Sequence, residues 1–276
     1  MIDLRTPAQP RALLLDSPHS GVHYPDDFDH VVQRQNLRDA EDTHVDALFA
    51  PWVEQGATLI AAQFPRSYLD VNRAATDIDE ALIEGRWPAP IAPTRKSEMG
   101  KGLVWRCLDD GSPIYARRLR VDEVQARIER CWQPYWDALL AQRDRLHGAH
   151  GRLFHVNCHS MPSAGGLFAH DAPGTTDLPD FVVGDRDGTT SGAEFSRFMG
   201  EWLAQRGYRV NWNAPYKGVE IVRVIGQPAR QCHSIQLEIN RRLYMDEATR
   251  ELSPGFEPLK TELSALCAAL IEHFRL

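Results

Sequence analysis

This chain of 276 residues lacks the features that mark several common protein classes. Its five cysteines are scattered without a CxxC pair, so the patterns of a cysteine-rich zinc site and of a disulfide framework are absent. No apolar run approaches the roughly 20 residues that cross a bilayer, and the N-terminus has the pattern of neither a signal peptide nor an anchor. Basic residues are not in excess, since 31 Lys and Arg face 38 Asp and Glu, whereas nucleic-acid binding needs a clustered basic face. We therefore expect a cytoplasmic protein with reduced thiols that binds neither membranes nor nucleic acid.

A motif for nucleophilic catalysis is also absent, because the sequence contains no GxSxG elbow. Cys158 beside His159, or Ser20 beside His19, could suggest a nucleophilic pair. Neighbouring residues on a strand point to opposite faces, however, so Cys158 and His159 would make a poor dyad. The sequence thus disfavours a serine or cysteine nucleophile.

Patterns of strand and helix alternate along the chain, and apolar residues make up 43% of it. Short apolar runs predict strands at residues 12–16, 57–64, 67–71, 152–157, 181–185, 208–213, 218–226 and 233–240. Apolar residues spaced three and four apart predict helices at 43–55, 121–146, 191–206 and from about 258 onward, with kinks at Pro51 and Pro134. This alternation predicts an α/β fold with a mixed central sheet flanked by helices, as a single domain over residues 1–276.

Two histidines follow predicted strands. His19 in DSPHSG and His159 in NCHS each stand where an apolar run gives way to a polar turn, and chemistry collects at the carboxyl ends of strands in open α/β sheets. A catalytic zinc takes three protein ligands and keeps one position for water. The acidic segment between the histidines could supply the third ligand, from either Glu41 or Asp42, although Asp42 could instead cap the helix at 43–55.

Two other histidine spacings are misleading. His19 and His23 are four apart, as in helical zinc motifs, but Gly21 and Pro25 argue against a helix there. His155 and His159 are also four apart, but an extended chain separates them by roughly 13 Å, which is too far for one ion.

An acidic residue interrupts the apolar run IQLEIN. Burying Glu238 without a partner would be costly, so a role as general base for a metal-activated water is attractive. The alternative is a salt bridge to Arg241 or Arg242.

Candidate binders of an anionic substrate cluster in FPRSYLDVNR, which offers Arg66, Asn72 and Arg73. Arginine grips a carboxylate with two parallel hydrogen bonds and can also stabilise a developing oxyanion. Lys217 and Arg223 are weaker candidates for a second substrate carboxylate, and solvation at the surface is their alternative.

Seven segments in one order give the chain a family resemblance over nearly its whole length. They are DSPHSGVHYP, EDTHVDALF, FPRSYLDVNRA, NCHSMPS, LPDFVVGDRDG, PYKGVEIVRVIGQP and IQLEINRRLYMDE. In these segments the chain resembles the N-formylglutamate amidohydrolase family, which looks like a branch of the zinc carboxypeptidase and aspartoacylase group.

The resemblance implies roles for individual residues. His19 and His159 would bind zinc, Glu238 would be the base and Arg66 would polarise the carbonyl. Asn72 and Arg73 would hold the substrate's α-carboxylate, and Ser160 joins the substrate-binding residues because it follows His159. The wider group has its acidic ligand three residues after the first histidine, but Val22 stands there. We favour Asp42 over Glu41 as the replacement because the resemblance centres on that aspartate.

The reaction implied by the resemblance is hydrolysis of N-formyl-L-glutamate to formate and L-glutamate, late in histidine breakdown, with one zinc ion and a small-molecule substrate. Two alternatives are the same machinery acting on another N-acyl amino acid or small peptide, and a non-catalytic binding protein on the same fold. His19, His159 and Glu238 together argue against the second. A purely structural zinc is disfavoured because such sites usually have four, cysteine-rich ligands.

Overall fold

A seven-stranded sheet forms the centre of the part of the chain that the computed structural model describes, residues 1–165 and 177–276. The strands are β1 (Ile2–Arg5), β2 (Leu13–Ser17), β3 (Thr58–Ala62), β4 (Ile83–Glu84), β5 (Leu119–Arg120), β6 (Leu153–Met161), β7 (Phe181–Gly184), β8 (Val210–Trp212) and β9 (Cys232–Asn240). The order across the sheet is β1-β3-β2-β6-β9-β7-β8, and β4 and β5 pair separately. Strands β3, β2, β6 and β9 are parallel, whereas β1 and β7 pair antiparallel with β3 and β9. The predicted α/β fold with a mixed sheet is confirmed.

Helices cover both faces of the sheet. They are α1 (Arg34–Arg38), α2 (Val45–Glu54), α3 (Arg95–Glu98), α4 (Val121–Arg127), α5 (Gln133–His150), α6 (Ala193–Ala204), α7 (Glu220–Ile225) and α8 (Phe256–Phe274). Alternation along the strands divides the core, because Leu13 and Leu15 pack with α2, α6 and α8 while Leu14 packs with α5 and α7. The candidate site lies on the face of the sheet that packs with α5 and α7.

Two strands predicted from the sequence are wrong. Residues 218–226 contain helix α7, because a short run of β-branched residues suits a buried helix as well as a strand. Its first turn is held by a distant side chain, since the Ile221 N–H donates to Asn72 Oδ1 over 2.9 Å. Residues 67–71 form turns instead of a strand, because Pro65 begins a turn that the Tyr68 N–H closes at 3.0 Å.

The predicted helix at 121–146 is interrupted, as its proline suggests. A π-helical turn at Ile128–Trp132 separates α4 from α5, directly before Pro134, which has no N–H to donate. Within residues 1–165 and 177–276, no helix is long and apolar enough to cross a membrane. All five cysteines are free thiols.

Candidate metal centre and active site

Polar side chains line one face of three neighbouring strands. The apolar positions of β6 and β9 pack into the core beside α2, α6 and α8, so the alternate positions face the other way. The side chains on that polar face are His155, Asn157 and His159 of β6 and Ser234, Gln236 and Glu238 of β9. Register aligns them, because His159 stands opposite Glu238, and Asn157 stands between Asp16 of β2 and Gln236. The candidate site therefore lies on the polar face of the sheet, near the carboxyl ends of its parallel strands.

Three ligand atoms meet at this end of the sheet. His19 follows β2, Asp42 precedes α2 and His159 lies near the end of β6, and each offers an atom within 4.8 Å of the other two. The two Nδ1 atoms are 3.1 Å apart, and Asp42 Oδ2 lies 2.9 Å from His159 Nδ1 and 3.4 Å from His19 Nδ1. A main-chain hydrogen bond from the Asp42 N–H to the His19 carbonyl, 2.9 Å long, joins the segment after β2 to the segment before α2. The structure thus gathers the three residues that the resemblance implies as ligands.

Glu41 points into a different set of contacts. Its carboxylate accepts hydrogen bonds from the Tyr24 hydroxyl at 2.7 Å, from Arg38 Nε at 3.2 Å and from the Thr43 hydroxyl at 3.2 Å. These partners occupy the carboxylate away from the histidines. Of the two acids left open by the residues alone, only Asp42 lies with His19 and His159.

His19 is held from behind by Asp70, a residue that the sequence reasoning missed. Asp70 Oδ1 accepts from His19 Nε2 at 2.7 Å and from the Asn72 N–H at 2.9 Å, while Oδ2 accepts from Arg66 Nη2 at 2.9 Å. Burial opposes ionisation, but Arg66 and His19 hold the pKa of Asp70 well below its usual range. A charged carboxylate can only accept, so His19 Nε2 donates to it, and in the neutral imidazole the lone pair is then on Nδ1. The clue in the sequence was an aspartate inside SYLDVNR, four residues after Arg66.

Asp42 is held by Arg241 and Ser160. Arg241 Nη2 donates to Asp42 Oδ1 at 3.1 Å, and Arg241 Nε donates to the Ser160 hydroxyl at 3.2 Å, which lies 3.4 Å from the same Asp42 oxygen. Burial would raise the pKa of Asp42, but its hydrogen bonds with His159 and His19 hold that pKa well below the usual range. Oδ2 is thus left for the histidines, and Ser160 lies beside Asp42 on the cavity wall.

This donor set suits a divalent cation. Two imidazole nitrogens and one carboxylate oxygen match the three protein ligands of a catalytic zinc site. Burial lowers the pKa of His159, which favours the neutral imidazole that a metal requires. The residues present therefore fit the predicted metal, with a cavity on the remaining side.

Glu238 stands across the strand pair from His159, on the wall of that cavity. Its carboxylate accepts a hydrogen bond from Gln236 Nε2 at 2.7 Å. Burial and the nearby charge of Asp42 raise its pKa to about 8. The alternative salt bridges are used elsewhere, because Arg241 holds Asp42 and Arg242 pairs with Asp177 and Asp180. Glu238 is thus a buried carboxylate beside the candidate metal centre with a tendency to hold a proton.

The cavity has a volume of about 950 Å³ and brings together Arg66, Asn72 and Arg73. Arg66 stacks on the Trp105 ring at 5.2 Å while it bonds Asp70. Arg73 Nε donates to the Lys101 carbonyl at 3.4 Å. Its terminal nitrogens make no hydrogen bond with the described residues, so they are available to a ligand in the cavity. The two arginines give the cavity a positive wall next to the ligand cluster, and Asn72 adds an amide.

The two weaker candidates separate in the structure. Lys217 lines the cavity mouth and its ammonium lies 3.1 Å from the exposed Asp187 carboxylate. Arg223 lies outside the cavity, with 55% of its side chain exposed and an ion pair to Glu220 within α7. The structure does not bring Arg223 to the site, because helix α7 turns it to the surface.

The proline- and glycine-rich residues 84–116 form one wall of the cavity. Lys96, Met99, Lys101 and Trp105 from this stretch line it, and a short β-bridge pairs Lys101 with Trp105 within the segment.

On the opposite face of β6, Cys158 lies in the apolar core, where burial raises the pKa of its thiol well above the usual range. Ser20 accepts from the Asp46 N–H at 3.2 Å. Neither residue is placed as a nucleophile for the neighbouring histidine.

Several known proteins are similar to this chain. Residues 11–245 match the model of the N-formylglutamate amidohydrolase family. The chain is 30% identical to an N-formylglutamate deformylase of Pseudomonas putida and 28% identical to one of Pseudomonas aeruginosa, each over 85% of this chain and 82% of the relative. The crystal structure of an N-formylglutamate amidohydrolase from Ralstonia eutropha JMP134 superposes with a TM-score of 0.95 at 44% identity, over 99% of this chain and 98% of that one. The predicted family and the predicted hydrolysis of an amide C–N bond are confirmed. The chain belongs to the N-formylglutamate amidohydrolase family.

Proposed function

We propose that this protein hydrolyses N-formyl-L-glutamate to formate and L-glutamate with one zinc ion bound by His19, Asp42 and His159. The observation that carries the proposal is the meeting of two Nδ1 atoms and a carboxylate oxygen beside a buried glutamate and a cationic cavity wall. The relatives named for this substrate support the choice of acyl group and amino acid. Residues 1–276 would act as one catalytic domain.

The reaction can be assigned to side chains on the cavity wall. Zinc in a three-ligand site supplies Lewis acidity and makes water acidic enough to lose a proton near neutral pH. The charge of a bound cation would favour the ionised form of Glu238, which then takes that proton as the oxygen of water forms a bond to the formyl carbon. It then gives the proton to the glutamate nitrogen as the C–N bond breaks. Formate and an amine are the products, so one water is consumed for each amide cleaved.

Arg66 and its neighbours position the substrate. Arg66 is held by Asp70 beside His19, where its remaining N–H groups can donate to the formyl oxygen as negative charge develops on it. Asn72 and Arg73 bind the α-carboxylate, because arginine and amide donors suit its two oxygens. Lys217 at the cavity mouth takes the second carboxylate. We place the reaction in histidine breakdown in the cytoplasm, as the resemblance and the free thiols suggest.

The decisive experiment combines metal content with release of formate. The purified chain should contain about one zinc per protein and release formate from N-formyl-L-glutamate faster than it cleaves the N-acetyl or N-succinyl analogue. A preference for another acyl group would favour a related amidohydrolase, and no turnover by zinc-loaded protein would favour a binding protein.

Glu238→Gln tests the base without a change of shape. We expect kcat to fall by roughly 100- to 10,000-fold while zinc stays bound, because the amide cannot accept the proton. Loss of zinc from this variant would mean that Glu238 is a ligand instead.

A further inference from the structure

We infer that Asn157 and Asp16 are positioning residues that decide which nitrogen of His159 faces the metal centre. The inference rests on the proposed function and adds two residues that the catalytic scheme does not use. Both side chains have no solvent exposure, and neither touches the cavity. They act on His159 through a chain of hydrogen bonds inside the sheet.

The chain has its anchor at the Asp16 carboxylate. Asp16 Oδ2 accepts from the Tyr135 hydroxyl at 2.7 Å, and Oδ1 lies 2.9 Å from both His155 Nε2 and Asn157 Nδ2. His155 is fixed in turn by the Ser234 hydroxyl, 2.7 Å from its Nδ1. The carboxylate is therefore surrounded by groups that donate to it, and none of these groups is exposed.

The direction of each bond follows from chemistry. An amide nitrogen can only donate, so Asn157 Nδ2 must face Asp16 and its oxygen must face the other way. That oxygen lies 2.8 Å from His159 Nε2. Because a carbonyl oxygen can only accept, this contact favours the tautomer with the proton on His159 Nε2. The lone pair of His159 is then on Nδ1, which is the atom that faces His19 and Asp42.

The opposite arrangement would leave unpaired groups. Turning the Asn157 amide over would set its oxygen against Asp16 Oδ1 and lose two hydrogen bonds in a site without access to water. The competing tautomer has the proton on His159 Nδ1, which lies 2.9 Å from Asp42 Oδ2, but it sets the Asn157 oxygen against a lone pair and blocks the nitrogen that a metal needs. The buried chain thus favours the tautomer that a metal requires.

The same protonation state also determines what Asn72 can bind. Asn72 Nδ2 is 3.2 Å from His159 Nε2, and it cannot donate to that nitrogen when Nε2 itself carries the proton. The Asn72 oxygen is already used by the Ile221 N–H. Its amide hydrogens therefore remain for an oxygen in the cavity, which agrees with the proposed binding of a carboxylate.

The test compares two buried substitutions at the same carboxylate. Asn157→Leu removes the acceptor of His159, whereas Tyr135→Phe removes a donor to Asp16 and leaves the Asn157 amide in place. We expect Asn157→Leu to raise the zinc Kd by roughly 10- to 100-fold and Tyr135→Phe to change it by less than about threefold, as measured by competition with a chromophoric chelator. Wild-type affinity in Asn157→Leu, or an equal loss in Tyr135→Phe, would overturn the inference.

Nitrogen NMR of histidine-labelled, metal-free protein gives a second readout that a general loss of stability would not produce. In mildly alkaline solution, wild-type His159 should show the proton on Nε2, and Asn157→Leu should show the Nδ1 form as well. A wild-type signal from the Nδ1 form would refute the inference even if the variant does not fold. If wild-type protein binds no zinc, the proposed function fails, but the tautomer measurement still decides this point.

Discussion

The two histidines of the candidate metal centre are supported in different ways. His19 is backed by Asp70, which is shared with Arg66 and with the main chain of Asn72 on the cavity side. His159 is backed by Asn157, which leads into the closed interior of the sheet. Both arrangements leave Nδ1 to the metal, but Asp70 also bonds Arg66 and Asn72 of the cavity wall, whereas among the described residues the Asn157 side chain bonds only Asp16 besides its histidine.

The His19 half of the centre, with Asp70, therefore shares contacts with the substrate-binding residues. The His159 half, with Asn157, is held by groups inside the sheet. Residues 66–73 form turns at the end of the sheet and carry both an outer partner of a ligand and the anion binders. The His159 half consists of groups on β2 and β6 that are paired in the sheet. Changes in the first half should therefore affect metal and substrate together, and changes in the second half should affect metal alone.

The largest effect is expected at the carboxylate that both halves share. Asp42→Ala removes a ligand atom, so zinc affinity should fall by more than the roughly 10- to 100-fold that the loss of an outer partner costs. Glu41→Ala should keep its zinc but unfold more easily by about 1–3 kcal/mol, because Tyr24, Arg38 and Thr43 lose their acceptor. Zinc content and thermal unfolding measure the two effects. Loss of zinc from Glu41→Ala alone would reverse the choice of ligand.

Asp70→Asn should show the double effect of the His19 half. Zinc affinity should fall by roughly 10- to 100-fold because the negative charge behind His19 is lost. The KM for N-formyl-L-glutamate, measured at saturating zinc, should rise as well because Arg66 loses the partner that holds it. Asp27→Asn is the matched control, since Asp27 bonds Tyr68 and Arg130 at the surface. A loss of zinc affinity with an unchanged KM would contradict the shared role.

The sheet could be predicted from sequence because its strands are short, apolar and separated by turns. The two failures have different reasons, because Pro65 begins a local turn at residues 67–71, whereas a distant contact supports the helix within residues 218–226. Asn72 anchors the first turn of α7 from far along the chain, and no local pattern of apolar residues reports such a contact.

The site could be predicted in part for a similar reason. Strand ends predicted His19 and His159, the cost of burial predicted Glu238, and the family resemblance favoured Asp42, but none of these signals predicted the groups that hold the four residues. Asp70, Asn157 and Arg241 act through other side chains, so their importance appears only when pairing and register are known. One signal was available in the alternation of LFHVNCHS, where three polar residues share a face with period two.

Arg73 offers a way to separate substrate from metal within the His19 half. It lies in the same segment as Asp70, but its nearest approach to that carboxylate is 3.9 Å, and it makes no hydrogen bond to a ligand among the residues described. Arg73→Ala should therefore raise the KM by roughly tenfold with zinc affinity unchanged, which corresponds to the loss of a charge-assisted hydrogen bond. Arg223→Ala is the matched control, since that arginine is exposed on α7 outside the cavity and its loss should change the KM by less than about twofold. If Arg73→Ala instead lost zinc, residues 66–73 would act as one unit for metal and substrate. The division between the two kinds of contact would then lie between this segment and the strands, not within the segment.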